Sequence, residues 1–218
     1  MTGFGKWVAV FCLVGLMGCR GETRLPERTV NMYAEEYYLE GNNGEAVLLV
    51  HGFDGMPIQM RELAEVASAK GFGVYTPLLP GHCGTSEDLG SVKWEEWYQK
   101  VEQSYLKLKE KHDRVHCVGF SIGGALVVQL AAKQEVASMT LICPALHLVS
   151  KYLPSGKWVN GLSNVVKNAW TVRQKGYVTV GGEDIKLPSH HNKIVPSKAV
   201  NEVVQMLKET DRCVEKVD

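Results

Sequence analysis

Gly119-Phe120-Ser121-Ile122-Gly123 has the form G-x-S-x-G, and its spacing suits a nucleophilic serine. In such a pattern the serine sits on a sharp strand-to-helix turn in a strained backbone conformation. A small residue two before it and another two after it, Gly119 and Gly123, let strand and helix pass close together. The hydroxyl then stands exposed at the carboxyl edge of a sheet. The N–H of Ile122 falls at a helix N-terminus, where it can face a developing oxyanion. The flanking sequence supplies what the pattern demands, an apolar VHCVG before it and a helix-forming GGALVVQLAAK after it. The bland alternative is a glycine-rich packing turn with a bystander serine.

A second element fits the same chemistry. His51-Gly52-Phe53 follows the apolar run Ala46–Val50, 70 residues before Ser121. A loop in that place supplies the other oxyanion donor from its backbone, so Gly52 allows a close approach and Phe53 N–H is the candidate donor. His51 reads as a structural residue holding the loop, because the base of such a site follows the serine in the chain.

These residues require a parallel sheet to position them. AVLLV at 46–50 is continuously apolar, the pattern of a strand buried on both faces. A helix is expected from about Ile58 to Lys70, a strand at GVYTP, a loop over residues 80–92 and a helix from about Lys93 to His112. Trp97, Val101, Tyr105 and Leu108 form the stripe of that last helix. A strand over Val115–Gly119, a helix over Ile122–Lys133 and a strand over Met139–Cys143 follow. Met32–Leu39 reads as an early edge strand. The alternation predicts an α/β fold, a mostly parallel sheet with helices on both faces. Ser197 can cap a final helix carrying Val200, Val203, Val204 and Leu207.

The 218 residues allow one substantial domain, and 24 basic residues balance 24 acidic ones. No basic stripe stands out, so no nucleic-acid partner is expected. The cysteines show no metal spacing and no CxxC pattern, and no metal is expected. Cys117 and Cys143 read as small buried hydrophobes within strands. The first 19 residues differ from the rest: Lys6, then an apolar run from Trp7 to Met17, shorter than the ~20 residues of a membrane-spanning helix. That is the length of a signal-peptide core.

VLLVHGFDG, LLPGHCGTSED and VGFSIGG together resemble the α/β-hydrolase superfamily, in its carboxylesterase and monoacylglycerol-lipase (serine aminopeptidase-like) branch. The resemblance is firm from about Glu45 to Pro144. It implies Ser121 as nucleophile, Phe53 and Ile122 as oxyanion donors, no cofactor, and a small-molecule carboxylic ester of acyl or lipid-like type as substrate. Cys83 stands where the family's G-H-G-x-S loop usually has glycine. Leu16-Met17-Gly18-Cys19 is similar to a bacterial lipobox, which implies lipid attachment at Cys19, export and a membrane-anchored lipoprotein; an uncleaved apolar N-terminus on a cytoplasmic protein is the alternative. The organisation is then a signal peptide over 1–19, a tether over 20–30, a hydrolase core over 31–144, a lid or cap region over 145–196, and a helix over 197–218 leading to core strands that are missing.

The family order is serine, acid, histidine. After Ser121 the histidines are His147, His190 and His191, and the carboxylates before His191 are Glu135, Glu183 and Asp184. Glu135 ends a helix. Asp184 to His191 is too short for the strand, helix and strand that separate acid and base in a parallel sheet. The sequence therefore reads as truncated at its C-terminus and as impaired in turnover, with the triad acid and histidine absent. The rival reading is a non-catalytic binding protein or the remnant of a split hydrolase gene.

Overall fold

The computed structural model describes residues 34–146, 177–180, 183–186, 195–214 and 216–217. Residues 1–30, where a signal peptide with Cys19 and a tether are expected, most of the expected lid region 145–196, and His147, His190 and His191 lie outside the described residues.

Five strands form the main sheet: β1 (Tyr37–Leu39), β2 (Glu45–Val50), β3 (Gly73–Thr76), β4 (Arg114–Phe120) and β5 (Ser138–Ile142), in the order β1-β3-β2-β4-β5. β1 runs antiparallel at one edge, against β3, and the other pairings are parallel. The chain is an α/β structure, a mostly parallel sheet flanked by helices. Along β2 the side chains divide by strand alternation. Ala46, Leu48 and Val50 enter a core shared with Trp97, Leu126 and Met206, whereas Val47 and Leu49 enter a smaller one with Met60, Ala64 and Val74. Both faces are thus buried, which is why this strand carries no polar alternation.

The smaller core lies under a 3-10 turn (Pro57–Met60) and helix α1 (Arg61–Ala69). The other face carries α3 (Trp94–Lys109), α4 (Ile122–Ala131) and α5 (Ser197–Val214). In α3 Trp97, Val101, Tyr105 and Leu108 are buried, with Glu95 and Glu96 in the first turn and Lys107 and Lys109 in the last, a distribution that complements the helix dipole. α4 is buried at every position from Ile122 to Leu130, since sheet, α3 and α5 surround it. That environment explains its lack of a polar face. Gln129 of α4 is the exception, and its side chain donates to Met206 O at 3.1 Å and Thr210 Oγ1 at 2.8 Å on α5.

The structure departs from the sequence expectations in four places. The loop over residues 80–92 contains a short helix, α2 (Ser86–Ser91). Thr85 Oγ1 accepts from Asp88 N–H at 3.2 Å while Asp88 accepts from Thr85 N–H at 2.6 Å, a reciprocal capping box. Cys143 is exposed rather than buried, because the chain leaves β5 there with φ 45°; Cys117 is buried. Ser197 is the first helical residue of α5 rather than its cap. The buried stripe of α5 is rotated towards Ala199, Glu202, Val203 and Met206, leaving Val200 and Val204 only half-buried. Glu202 on that face accepts from Lys93 Nζ at 2.8 Å and from Trp94 N–H at 3.3 Å, at the start of α3.

β6 (Tyr177–Val180) and β7 (Glu183–Lys186) pair antiparallel as a separate two-stranded sheet. Glu183 and Asp184 therefore sit in a hairpin and not at the end of a strand of the main sheet.

Candidate active site

β4 ends at Phe120 and α4 begins at Ile122, so a single residue, Ser121, makes the turn between them. Its φ of 54° and ψ of −117° are a conformation that non-glycine residues avoid, at an expense of about 1–3 kcal/mol. Backbone hydrogen bonds on both sides hold it there. Ser121 N–H donates to Ile142 O at 3.0 Å, and Ser121 O accepts from Gly124 N–H at 3.1 Å and Ala145 N–H at 2.9 Å. The β4–β5 register, which pairs Phe120 with Ile142, thus continues into the turn.

The glycine spacing follows from backbone approach. A Cβ on Gly119 would lie 2.4 Å from Gly123 O, and one on Gly123 would lie 2.3 Å from Val50 O and 2.6 Å from His51 O. Strand, turn and helix meet through main-chain atoms that cannot yield. The His51-Gly52-Phe53 loop reaches the same place, since a Cβ on Gly52 would stand 3.2 Å from Ser121 Cβ. Ser121 and Phe53 are half-buried and Ile122 is buried.

His51 organises that loop. It is fully buried, and Leu79 N–H donates to its Nε2 at 3.1 Å. Nε2 is therefore the acceptor, and Nδ1 carries the proton and donates to Gly52 O at 2.9 Å. Gly55 N–H also donates to Gly52 O, at 3.1 Å. The Gly52–Phe53 peptide is planar, so pinning its carbonyl with two donors sends Phe53 N–H to the opposite side. With both ring nitrogens committed, His51 is a scaffold and not a base. Burial first, then repulsion from His82, holds His51 down to about 3.

Sequence reasoning did not single out the support behind Phe53. His82 packs edge-on against Phe53 and Trp97, with ring centroids 6.0 and 5.7 Å apart, and lies 5.1 Å from His51. His82 Nδ1 donates to Pro80 O at 3.0 Å, and Trp97 Nε1 donates to the same carbonyl at 3.0 Å. Burial pushes His82 below the usual histidine range. Cys83 has φ 60°, the left-handed region that favours glycine. Its Sγ faces Gly55 O at 3.8 Å. Burial, then Asp54, pushes its thiol up to about 12, away from the thiolate form at neutral pH.

The Ser121 side chain makes no capping bond to α4. Glu135 is exposed in the loop before β5, where Ala137 N–H donates to Val115 O at 2.9 Å. That is the amino end of the sheet, opposite Ser121. Among the described residues no group of three or more His, Cys, Asp or Glu is placed to hold a metal ion.

A family model described as the alpha/beta hydrolase fold matches residues 45–191. The chain belongs to the alpha/beta hydrolase fold family. A thermostable monoacylglycerol lipase of Bacillus sp. (strain H-257) is 41% identical over 98 residues, 45% of this chain and 39% of that protein. A carboxylesterase of Bacillus subtilis (strain 168) is 29% identical over 108 residues, 49% of this chain and 44% of that protein. The match thus spans less than half the length of either curated relative. Among solved structures, a metagenome-derived lipolytic enzyme superposes with TM-score 0.65 at 24% identity, covering 85% of this chain and 72% of that one. The Paleococcus ferrophilus monoacylglycerol lipase superposes with TM-score 0.63 at 18% identity, covering 84% and 74%. At these identities the structural likeness speaks for the hydrolase fold alone.

Proposed function

We propose that this α/β hydrolase acts on carboxylic esters through an acyl-enzyme at Ser121, with the N–H groups of Phe53 and Ile122 as its oxyanion hole. The observation that carries the reading is the Ser121 turn, a strained backbone fixed beside Gly52 at the sheet edge. Strain of this kind persists only where the surroundings over-determine it. Ile122 N–H lies in the first turn of α4, where amides have no intrahelical acceptor. Phe53 N–H is turned away from His51 by the pinned Gly52 carbonyl, which leaves it free of that contact for the role proposed.

In this mechanism Ser121 Oγ attacks the ester carbonyl carbon, and the carbonyl oxygen gains charge between the two amides. The alcohol leaves, and water releases the acid from Ser121. Acyl or lipid-like esters are the substrate class, supported by the relatives named monoacylglycerol lipase and carboxylesterase. The described residues bring no histidine to Ser121. On this reading the 218-residue chain acylates but turns over slowly. Loss of triad members lowers turnover by on the order of 10⁴ to 10⁶, and an oxyanion hole with substrate binding retains roughly 10³ over water.

A p-nitrophenyl ester assay on the chain and its Ser121→Ala variant tests both parts. Slow turnover that disappears in the variant supports the reading. Fast turnover contradicts the impairment, and turnover indifferent to Ser121→Ala contradicts the nucleophile. The proposal extends to the N-terminus, where a lipid on Cys19 holds the protein at a membrane. The support is the lipobox-like Leu16-Met17-Gly18-Cys19, and labelled fatty acid in the wild type but not in Cys19→Ala tests it.

A further inference from the structure

A second serine–histidine–carboxylate chain crosses the sheet at the end opposite Ser121. His116 on β4 stands directly across from Ser138 on β5, and its other neighbour β2 begins at Glu45. Residues 115 and 117 of β4 and 139 and 141 of β5 turn to the larger core, so alternation puts His116 and Ser138 on the other face. Glu45 shares that face with Val47 and Leu49. His116 Nδ1 is 2.7 Å from Ser138 Oγ, and His116 Nε2 is 2.8 Å from Glu45 Oε2. A carboxylate only accepts, so Nε2 carries the ring proton and Nδ1 accepts from the Ser138 hydroxyl.

Two neighbours hold the arrangement. Arg114 Nη1 donates to Glu45 Oε1 at 3.1 Å. The Phe72 ring meets the imidazole edge-on, with centroids 5.7 Å apart. The hydrogen bond from His116 first, and the Arg114 charge after it, hold the Glu45 carboxyl below the usual range, so the acceptor stays ionised at neutral pH. Ser138 is exposed. Ser121 lies five positions after His116 and just past the end of β4, about 16 Å away at the rise of a parallel strand. The two serines therefore cannot share a bound ester group.

We propose that Ser138, His116 and Glu45 are a second nucleophilic site, which takes an acyl group from small activated esters. Ser138 Oγ attacks the carbonyl carbon as its proton passes to His116 Nδ1. The new Oγ–C bond forms, and the C–O bond to the leaving group breaks. The phenolate departs with the bonding pair, and the imidazolium, held by Glu45, returns its proton to solvent. The product is an acyl ester on Ser138. This site is independent of the role given to Ser121.

The test uses the full chain carrying Ser121→Ala, treated with p-nitrophenyl acetate and mapped by peptide mass spectrometry. Ser91 is the internal comparator, since it is exposed and, among the described residues, its Oγ donates to Asp88 O, at 2.8 Å, and is hydrogen-bonded to no histidine. Ser138 is expected to acetylate at least about tenfold faster than Ser91, a modest share of what a positioned base supplies. His116→Ala should return Ser138 to the rate of Ser91. Glu45→Gln, which keeps size and an acceptor oxygen, should lower the rate in a chain whose thermal melt is otherwise retained. Acetylation of Ser138 at the Ser91 rate, or acetylation indifferent to both substitutions, overturns the proposal and leaves a hydrogen-bonded strand contact.

Discussion

Replacing His51 by Phe should disable the oxyanion loop and change the acid stability of the fold together. In the wild type His51 is buried and held down to about 3 from an ordinary 6.5. The unfolded chain takes up a proton at this residue below pH 6.5, whereas the folded chain does so only near pH 3. His51 therefore contributes its full stability above pH 6.5 and loses it progressively down to about pH 3. At ~1.36 kcal/mol per pH unit, that window is worth on the order of 5 kcal/mol. His82, also pushed down by burial, adds a slope of the same sign. Phe keeps a planar ring, one atom larger than the imidazole, but has no ring nitrogen, so it also crowds a fully buried site. It leaves the Leu79 N–H without its acceptor and Gly52 O with only the Gly55 donor. The loss at pH 7 should be roughly 2–4 kcal/mol. The freed Gly52–Phe53 peptide should also slow fluorophosphonate labelling of Ser121 by about 10²–10³, the value of one oxyanion donor. Urea unfolding followed by circular dichroism at pH 7, 6 and 5 reads the first effect, and timed labelling at pH 7 reads the second. A variant with wild-type pH dependence, or one labelled at the wild-type rate, would refute the scaffold role of His51.

Three further outcomes follow from the same contacts. Gly123→Ala places a Cβ 2.3 Å from Val50 O, so α4 must move off β2; a stability loss of about 1–3 kcal/mol in urea unfolding and slower Ser121 labelling are expected. At Cys83, where φ is 60°, Ala should be less stable than Gly by about 1 kcal/mol in thermal melts, because both lose the sulfur and only glycine relieves the backbone. Glu202→Gln removes the charge facing Lys93 while keeping an acceptor for Trp94 N–H; a loss of about 1 kcal/mol should appear at low salt and shrink at high salt.

What could be read from the sequence were features fixed by local chain geometry. AVLLV at 46–50 lacks polar alternation because the strand is covered on both faces. Gly119 and Gly123 are legible because their neighbours are backbone atoms that exclude any side chain. What escaped depended on distant partners or on single residues. Helix α2 spans only six residues, Ser86–Ser91, and its signal, Thr85 with Asp88, lay within a glycine-rich stretch. Cys143 closes an apolar run, yet the chain turns out of the sheet at that residue. The buried face of α5 includes Glu202, whose partners Lys93 and Trp94 lie 109 and 108 residues earlier. His82, Phe53 and Trp97 come from three separate segments, and so do Glu45, His116 and Ser138. No spacing rule brings such residues together; only the strand order does.

We have proposed Ser121 as a nucleophile presented beside two amide hydrogens. Its most direct test is incubation of the chain with a fluorophosphonate, followed by peptide mapping of the modified serine. A phosphonyl adduct is expected on Ser121 in the wild type, absent from Ser121→Ala and much slower to form in His51→Phe. A wild-type chain that remains unmodified at Ser121 under conditions that label a known serine esterase would contradict it.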